Sequence, residues 1–520
     1  MLLLLVGAWA GCRCRAAEPA AGPALPPSVR LVLLSSVAGA MEPCGCVKDM
    51  LGGIDHAAAH LHSQGATPTL VLGAGPMLFQ DPALKPDRRA QDVWKAEAIA
   101  QALRDMRLRA WAPGANDYAA GATELVRLNA GGPLLLAANL EGPAVAAQKT
   151  AIFGVGGVKV GVAGVSLPRH AGKLPEGLTA REALPELKAA AAELNRQQAD
   201  VRVALVAMPR GEALRLAELV PEFQVMLIGK AVDQGEANDA VTPPAQIGRT
   251  LVIESPNHLQ AFYTVDLFVK NGSYAFENAA SGSEELAELE QRVKELKERI
   301  ASAEKNGASK RDLEARRRDL EALEARRDSA KRESAPPAGS YYRASLVEVR
   351  EKLGSDSAVA GRMAEYYRRV NDHNRVAFAD RRPPAAAEGQ SSFVGAQACA
   401  SCHEQEHAFW KKTRHAKAYS TLTAQHKEFN LDCVSCHVTG YEEPGGSSVV
   451  QVGALTDVQC ETCHGAGSRH VASPEDASLV TLSPPRTLCG PKCHHPPHVK
   501  PDWSVDAAWK HIIGPGHGAP

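Results

Sequence analysis

Three strict Cys-x-x-Cys-His motifs stand in the last quarter of the chain: Cys399-Ala-Ser-Cys402-His403, Cys433-Val-Ser-Cys436-His437 and Cys460-Glu-Thr-Cys463-His464. A fourth, Cys489-Gly-Pro-Lys-Cys493-His494, carries one extra residue between its thiols. This spacing is the attachment signature of c-type haem: two thiols form thioethers with the haem vinyl groups, and the next histidine sits under the iron as proximal ligand. One such motif alone would be weak, because zinc sites and redox dithiols share it. Four in about 100 residues are strong, and a zinc module leaves unexplained why each second cysteine is followed by histidine. Of the 12 Cys and 18 His in the chain, eight Cys and 12 His fall between Phe393 and Pro520. Haem c, four per chain, is the expected cofactor. Four haems on so short a stretch leave little polypeptide for each, so the porphyrins should form much of the core.

Beyond the motifs, the stretches CASCHEQEHAFWKKTRHAKAYSTL, DCVSCHVTGYEEPGG and VQCETCHGAGSRH resemble the tetrahaem cytochrome c family of the hydroxylamine-oxidising pathway. The likeness includes Trp410, the Arg414-His415-Ala416 stretch and the Gly440 turn. It implies that His415 and His470 are distal haem ligands and that a C-terminal histidine is a third, His517 being the best match and His511 the next. It also implies one haem without a protein distal ligand, expected at His437. His407, His426, His495 and His498 read as surface or supporting residues, with His498, in Cys-His-His-Pro-Pro-His, as a spare candidate. Filled coordination on both faces suits electron transfer, whereas an open face suits binding of a small ligand.

The remaining cysteines fall in pairs. Cys44 and Cys46, in Glu42-Pro43-Cys44-Gly45-Cys46, form a strained spacing for a local disulfide and read as a redox or ligand pair, or as structural thiols. His56, His60 and His62 follow, expected on a polar helix face. Cys12 closes the apolar run MLLLLVGAWAG, which is too short to span a bilayer but suits a signal-peptide core. Small residues before Cys12 resemble a lipobox, although Trp9 is unusual there and no Lys or Arg precedes the run. Lipidation at Cys12, or export without it, is expected, placing the chain in the periplasm or on the outer membrane.

The elements that must position these groups divide the chain. Residues 1–28 read as a signal or lipoprotein segment and Ala/Pro-rich tether. Residues 29–280 alternate apolar strands (RLVLLSS, TLVLGA, PLLLAAN, VKVGVAGV, VRVALVAM, VMLIG) with helical stretches at 90–107, 180–197 and 211–220, an α/β pattern. Residues 281–336 repeat Leu286, Leu289, Val293, Leu296 and Ile300, then, past Asn306-Gly307, Leu313, Leu320 and Leu323; this predicts an antiparallel helical hairpin, coiled-coil-like, either a spacer or a dimerisation and docking element. Residues 337–380 read as helical, 381–392 as a Pro/Ala/Gly-rich linker, and 393–520 as a mostly α or irregular multihaem domain.

The α/β part resembles the metallophosphoesterase half of bacterial nucleotidases through Gly52-Gly53-Ile54, PLLLAANL, GVKVGVAGVS and VMLIGK. That resemblance implies Asp, His and Asn at strand ends holding two metal ions that activate water. Here the strand ends carry Ser35-Ser36, Gly73-Ala74, Met208-Pro209 and Gly229-Lys230 instead, and Asn116-Asp117 lacks its following His. A degenerate, metal-free domain is expected.

Lys plus Arg number 58 and Asp plus Glu 59, a net charge of −1, which argues against a nucleic-acid partner. The leading expectation is an exported tetrahaem cytochrome that exchanges electrons with redox protein partners and is anchored by lipid, with its α/β domain used for docking. The alternatives are a haem enzyme acting on a small nitrogen or sulfur species at an open iron, a fused phosphohydrolase, and a dimer through the hairpin.

Overall fold

The computed structural model describes residues 26–43, 50–142, 147–232, 238–279, 282–305, 310–333, 338–495, 499 and 503–517. Cys12, Cys44, Cys46 and His498 lie outside them.

The N-terminal part is a four-layer α/β sandwich. Its strands are β1 (Val29–Ser35), β2 (Thr69–Ala74), β3 (Leu108–Ala112), β4 (Leu134–Leu135), β5 (Leu140–Glu141), β6 (Thr150–Val155), β7 (Val158–Ser166), β8 (Thr179–Ala180), β9 (Val201–Ala207), β10 (Val225–Gly229), β11 (Ala245–Ile247), β12 (Thr250–Glu254), β13 (Ala261–Phe268), β14 (Glu277–Asn278) and β15 (Tyr341–Glu348). One sheet runs β14-β15-β13-β1-β2-β3-β4 and the other β11-β12-β10-β9-β7-β6, with β5 and β8 paired separately. The central strands of both sheets are parallel, and such strands are buried on both faces, hence their nearly unbroken apolar runs. In β1, Leu31 and Leu33 face the second sheet, meeting Val160, Val203 and Leu227. Val32 and Leu34 point the other way, into the helices.

Those helices are α1 (Ile54–Ser63), α2 (Arg89–Asp105) and α3 (Ala122–Leu128). The second sheet is covered by α4 (Ala183–Arg196) and α5 (Arg210–Leu219) through Leu187, Leu194 and Leu216. Two 24-residue helices, α6 (Gly282–Lys305) and α7 (Lys310–Glu333), form the hairpin. Lys297 pairs with Glu324 and Arg317 with Glu304, so residues that advance along one arm retreat along the other, and the arms are antiparallel. Leu289, Val293 and Ile300 are buried on its seam.

The structure departs from the sequence reading beyond the hairpin. Residues 341–348, expected to be helical, are strand β15, which pairs with β13 over eight residues, from Phe268↔Tyr341 to Ala261↔Glu348. Its adjacent aromatics and Leu346-Val347 fit a pleated surface better than a helix. The helical expectation holds from Ser357 on, as α8 (Ser357–Ala377), whose Val359, Met363, Tyr366 and Val370 join the core beneath the first sheet. Asp356 caps it, its carboxylate accepting from the Ala358 and Val359 amides. The α/β domain therefore does not end near residue 280. It resumes at β15, and the hairpin is an insertion at the edge of its sheet. PLLLAAN also contributes only a two-residue strand.

The C-terminal module is built from short helices: α9 (Ala396–Cys399), α10 (Glu404–Trp410), α11 (Ala418–Thr423), α12 (Val434–His437), α13 (Cys460–His464), α14 (Ser468–Ala472), α15 (Cys489–Lys492) and α16 (Val505–Trp509). Its small apolar cluster is Val434, Val438 and Val452, with Tyr419 and Tyr441 against it. No helix among the described residues is long and apolar enough to cross a membrane.

Candidate haem sites

The motifs are tight turns or single turns of helix, and in the first and fourth the histidine amide closes back on the first cysteine. The His403 amide donates to the Cys399 carbonyl at 2.9 Å, and the His494 amide to the Cys489 carbonyl at 2.9 Å. The extra residue of the fourth motif is absorbed without losing that closure. The eight motif cysteines are free thiols, available for thioether bonds.

The histidines come together in pairs. The ring centres of His403 and His470 are 6.5 Å apart, those of His494 and His415 6.2 Å, and those of His464 and His517 6.0 Å. Two imidazoles bound to opposite faces of one metal, each at about 2 Å, place their ring centres about 6 Å apart. In each pair one ring follows a Cys pair and the other comes from a distant segment. This spacing fits an iron between them, so these residues fit haem. Among the described residues no imidazole is paired with His437 in this way. His511 is exposed.

Hydrogen bonds orient several of these rings. Nδ1 of His464 lies 2.7 Å from the Thr481 carbonyl, Nδ1 of His517 3.1 Å from that of Pro515, and Nδ1 of His437 2.6 Å from that of Ala418. A carbonyl only accepts, so Nδ1 is the donor and Nε2 keeps its lone pair for a metal. Burial pushes the His415, His437 and His494 pKa values down, toward the neutral ring that a metal requires. The Trp503 ring stacks on His494 at 4.8 Å, the two rings nearly parallel.

Supporting residues that the sequence reading did not single out lie inside and just before the third motif. Glu461, only 3% exposed, accepts from the amides of Gly395 at 2.7 Å, Gly467 at 2.8 Å and Val394 at 3.0 Å. One carboxylate thus ties the approach to the first motif to the segment bearing His470. The preceding Asp457-Val458-Gln459 strap takes the His415 carbonyl at Val458 N and the His437 carbonyl at Asp457 N, and accepts the Trp410 indole N–H at the Val458 carbonyl, 2.8 Å. The signal available was a pair of polar residues, Gln459 and Glu461, flanking a cofactor cysteine. The Gly440 turn has φ +66°, and a side chain there would lie 2.9 Å from the Phe393 ring, so glycine is needed at that point.

The motifs also contact one another. The Cys399 thiol lies beside that of Cys460, and the Cys436 thiol beside that of Cys493.

At the strand ends of the α/β domain, the polar residues that remain are engaged by backbone. Asp117 accepts from the Met77 and Leu78 amides, both 2.8 Å, and from Gly114 at 2.7 Å. The Asn116 amide donates to the carbonyls of Gln80 at 2.6 Å and Val232 at 2.7 Å, and its Oδ1 is buried without a partner. The Ser36 hydroxyl donates to the Lys230 carbonyl, and the Lys230 ammonium pairs with Asp239 at 2.8 Å. On α1, His62 bonds Asp356 at 2.9 Å and the Asp105 carbonyl at 3.0 Å, His60 contacts Gln64, and His56 reaches the Gly354 carbonyl. His62 links α1 to α2 and to the cap of α8, while His60 packs on the Phe262 ring of β13.

Residues 398–465 match the family described as cytochrome c554 and c-prime. The chain is 36% identical over 91 residues to cytochrome c-554 of Nitrosomonas europaea, a match covering 14% of this chain and 39% of that protein. It therefore spans well under half the length of this curated relative. The C-terminal module thus contains a c-type cytochrome segment of this kind, the kind to which haem is covalently bound. Similar solved structures include a 5′-nucleotidase precursor from Thermus thermophilus, with 15% identity, TM-score 0.46, and coverage of 71% of this chain and 62% of that one. Another is the NAD nucleotidase of Haemophilus influenzae, with 14% identity, TM-score 0.40, and coverage of 47% and 48%.

Proposed function

We propose that this chain is an exported tetrahaem c-type cytochrome that transfers electrons between protein partners. Haem c on the four motifs supplies the one-electron couple. The polypeptide fixes axial geometry, excludes water and sets the spacing of the sites. The observation that carries the reading is the pairing of His403 with His470, His464 with His517 and His494 with His415 at the spacing of two imidazoles on one iron. Filled axial positions change little on reduction, which suits a carrier.

His437 supports a second activity at the same module. With its Nδ1 held by the Ala418 carbonyl and no histidine paired with it among the described residues, its haem keeps one face for a small nitrogen or sulfur ligand. The α/β domain is read as catalytically degenerate, because Asp117 and the Asn116 amide are taken up by backbone groups. Together with the hairpin it serves docking. Covalent haem attachment fits an exported chain, held at the periplasm or outer membrane through lipid on Cys12.

Electron paramagnetic resonance of the oxidised protein tests this reading. Three low-spin signals and one high-spin signal are expected. Four low-spin signals would remove the open site, and the absence of covalent haem after acid-acetone extraction would overturn the whole assignment.

A further inference from the structure

Apart from a Gln451 bond to the Ala379 carbonyl at 2.9 Å, bonds that join the haem module to the α/β domain concentrate on the six residues that lead into the second motif. Lys427 pairs with Glu42 and lies over the Tyr367 ring at 4.2 Å. Glu428 accepts from the Asn371 amide at 3.0 Å, and the Phe429 amide donates to Asn371 at 3.1 Å. Asn374 donates to the Phe429 carbonyl at 2.8 Å. Gln91 donates to the Asn430 side chain at 3.2 Å and accepts from the Leu431 amide at 3.0 Å. Asp432 is held by Arg88 and, at 3.4 Å, by Lys95. Every residue from 427 to 432 is thus tied to the loop before Cys44 or to α2 or α8.

This contact is buried and polar. Gln91 and Asn430 are 1% exposed and Asn374 2%. A network of buried amides is specific, because each loses its partner if the segment shifts. The rigidity passes directly to the motif: the Cys433 and Val434 amides donate to the Asn430 carbonyl at 3.0 and 2.9 Å. Asp432, the residue before Cys433, brings a carboxylate and two cations of the other domain to the edge of that haem site.

We propose that the α/β domain is a working part of the second haem site: Gln91, Asn371 and Asn374 are positioning residues that fix the haem carried by Cys433, Cys436 and His437, and the Arg88–Lys95–Asp432 cluster sets its charge environment. This rests on the tetrahaem reading above and goes beyond docking of an outside partner. It assigns to a domain without its metal ligands the task of holding one haem of another domain. The net charge and hydrogen bonding around a haem are levers on its potential and ligand affinity.

The test uses the full-length holoprotein. In Gln91→Ala, amide exchange in 427–432 should rise, the high-spin signal should change its g-values, and cyanide should bind that haem several-fold faster, while the three low-spin signals stay in place as internal controls of folding. In Asp432→Asn, which keeps the shape, the part-buried Arg88 and Lys95 lose this carboxylate, Arg88 keeping Asp92, and the midpoint potential of this haem alone should move up. Unchanged signal, cyanide rate and midpoint in both variants would overturn the proposal, as would equal shifts in all four haems. A parent protein with four low-spin signals would instead overturn the open-face reading; the clamp would then be judged on the g-values and midpoint of the His437 haem.

Discussion

At the scale of single residues, the haem sites depend on which nitrogen of each imidazole is committed. His437, His464 and His517 give Nδ1–H to carbonyls, which leaves Nε2 for iron and fixes the ring plane before any cofactor arrives. Elsewhere, in the α/β domain, a carboxyl is held entirely by backbone. Asp117 is wholly buried, and desolvation raises its carboxyl to about 6 even though three amides donate to it. A carboxyl whose folded pKa lies above its ordinary value contributes stability that is full below that ordinary value and is lost as pH rises through about 6. The contribution amounts to about 3 kcal/mol at most. In Asp117→Ala the three amides lose their acceptor at every pH, but this slope disappears. The gap in melting temperature between parent and variant should therefore narrow from pH 4 to pH 7, and a constant gap would show that Asp117 does not titrate in this range. The cofactor motifs were legible because their chemistry is written in short spacings. Gln91, Asn371 and Asn374 were not: each is a polar residue on an amphipathic helix, and nothing local distinguishes a clamp from a solvated face.

Among the elements, the helical hairpin shows how far local pattern carries. Its two arms were readable from leucines at three- and four-residue steps, and Leu289, Val293 and Ile300 do line the seam. The strand after it was not, because β15 finds its partner in β13, some 80 residues earlier, and a pairing across an insertion leaves no local trace. The hairpin leaves the sheet after β14 and returns at β15, with β14 and β15 paired side by side through Glu277↔Tyr341. The two strands run parallel, so the chain must cross back between them, which takes a connection of about a dozen residues. Replacing 282–333 by a Gly/Ser connection of about a dozen residues should lower the melting temperature by no more than about 2 °C, equivalent to about 1 kcal/mol, and leave the haem spectrum unchanged. Circular dichroism should lose the signal of two helices and nothing more. If the hairpin serves docking, reduction by the physiological partner slows in this variant while reduction by dithionite does not. Collapse of the haem spectrum would instead make the hairpin part of the scaffold.

Across the whole molecule, the thiols give the spatial order of the four motifs, and under the tetrahaem proposal each would carry a thioether at a porphyrin edge. Motifs one and three touch through Cys399 and Cys460, and motifs two and four through Cys436 and Cys493. Cys463 and Cys489 are close enough to influence one another electrostatically. The spatial order is therefore one, three, four, two, although the chain order is one to four. Its far end, at His437, is the end clamped to the α/β domain. Under the tetrahaem proposal, such an arrangement would make the fourth haem a bridge rather than a terminus. Removing it with Cys489→Ser and Cys493→Ser should leave two groups of haems that no longer equilibrate quickly. Photoreduction followed at the high-spin band should become biphasic, with the His437 haem reduced late. Removing the first haem with Cys399→Ser and Cys402→Ser deletes an end of the row and should leave a single phase for the three that remain. Both variants lose one haem, so general damage affects them alike, and the bridge is identified by the difference between them. Single-phase kinetics in both would show that electrons reach His437 without passing the fourth motif.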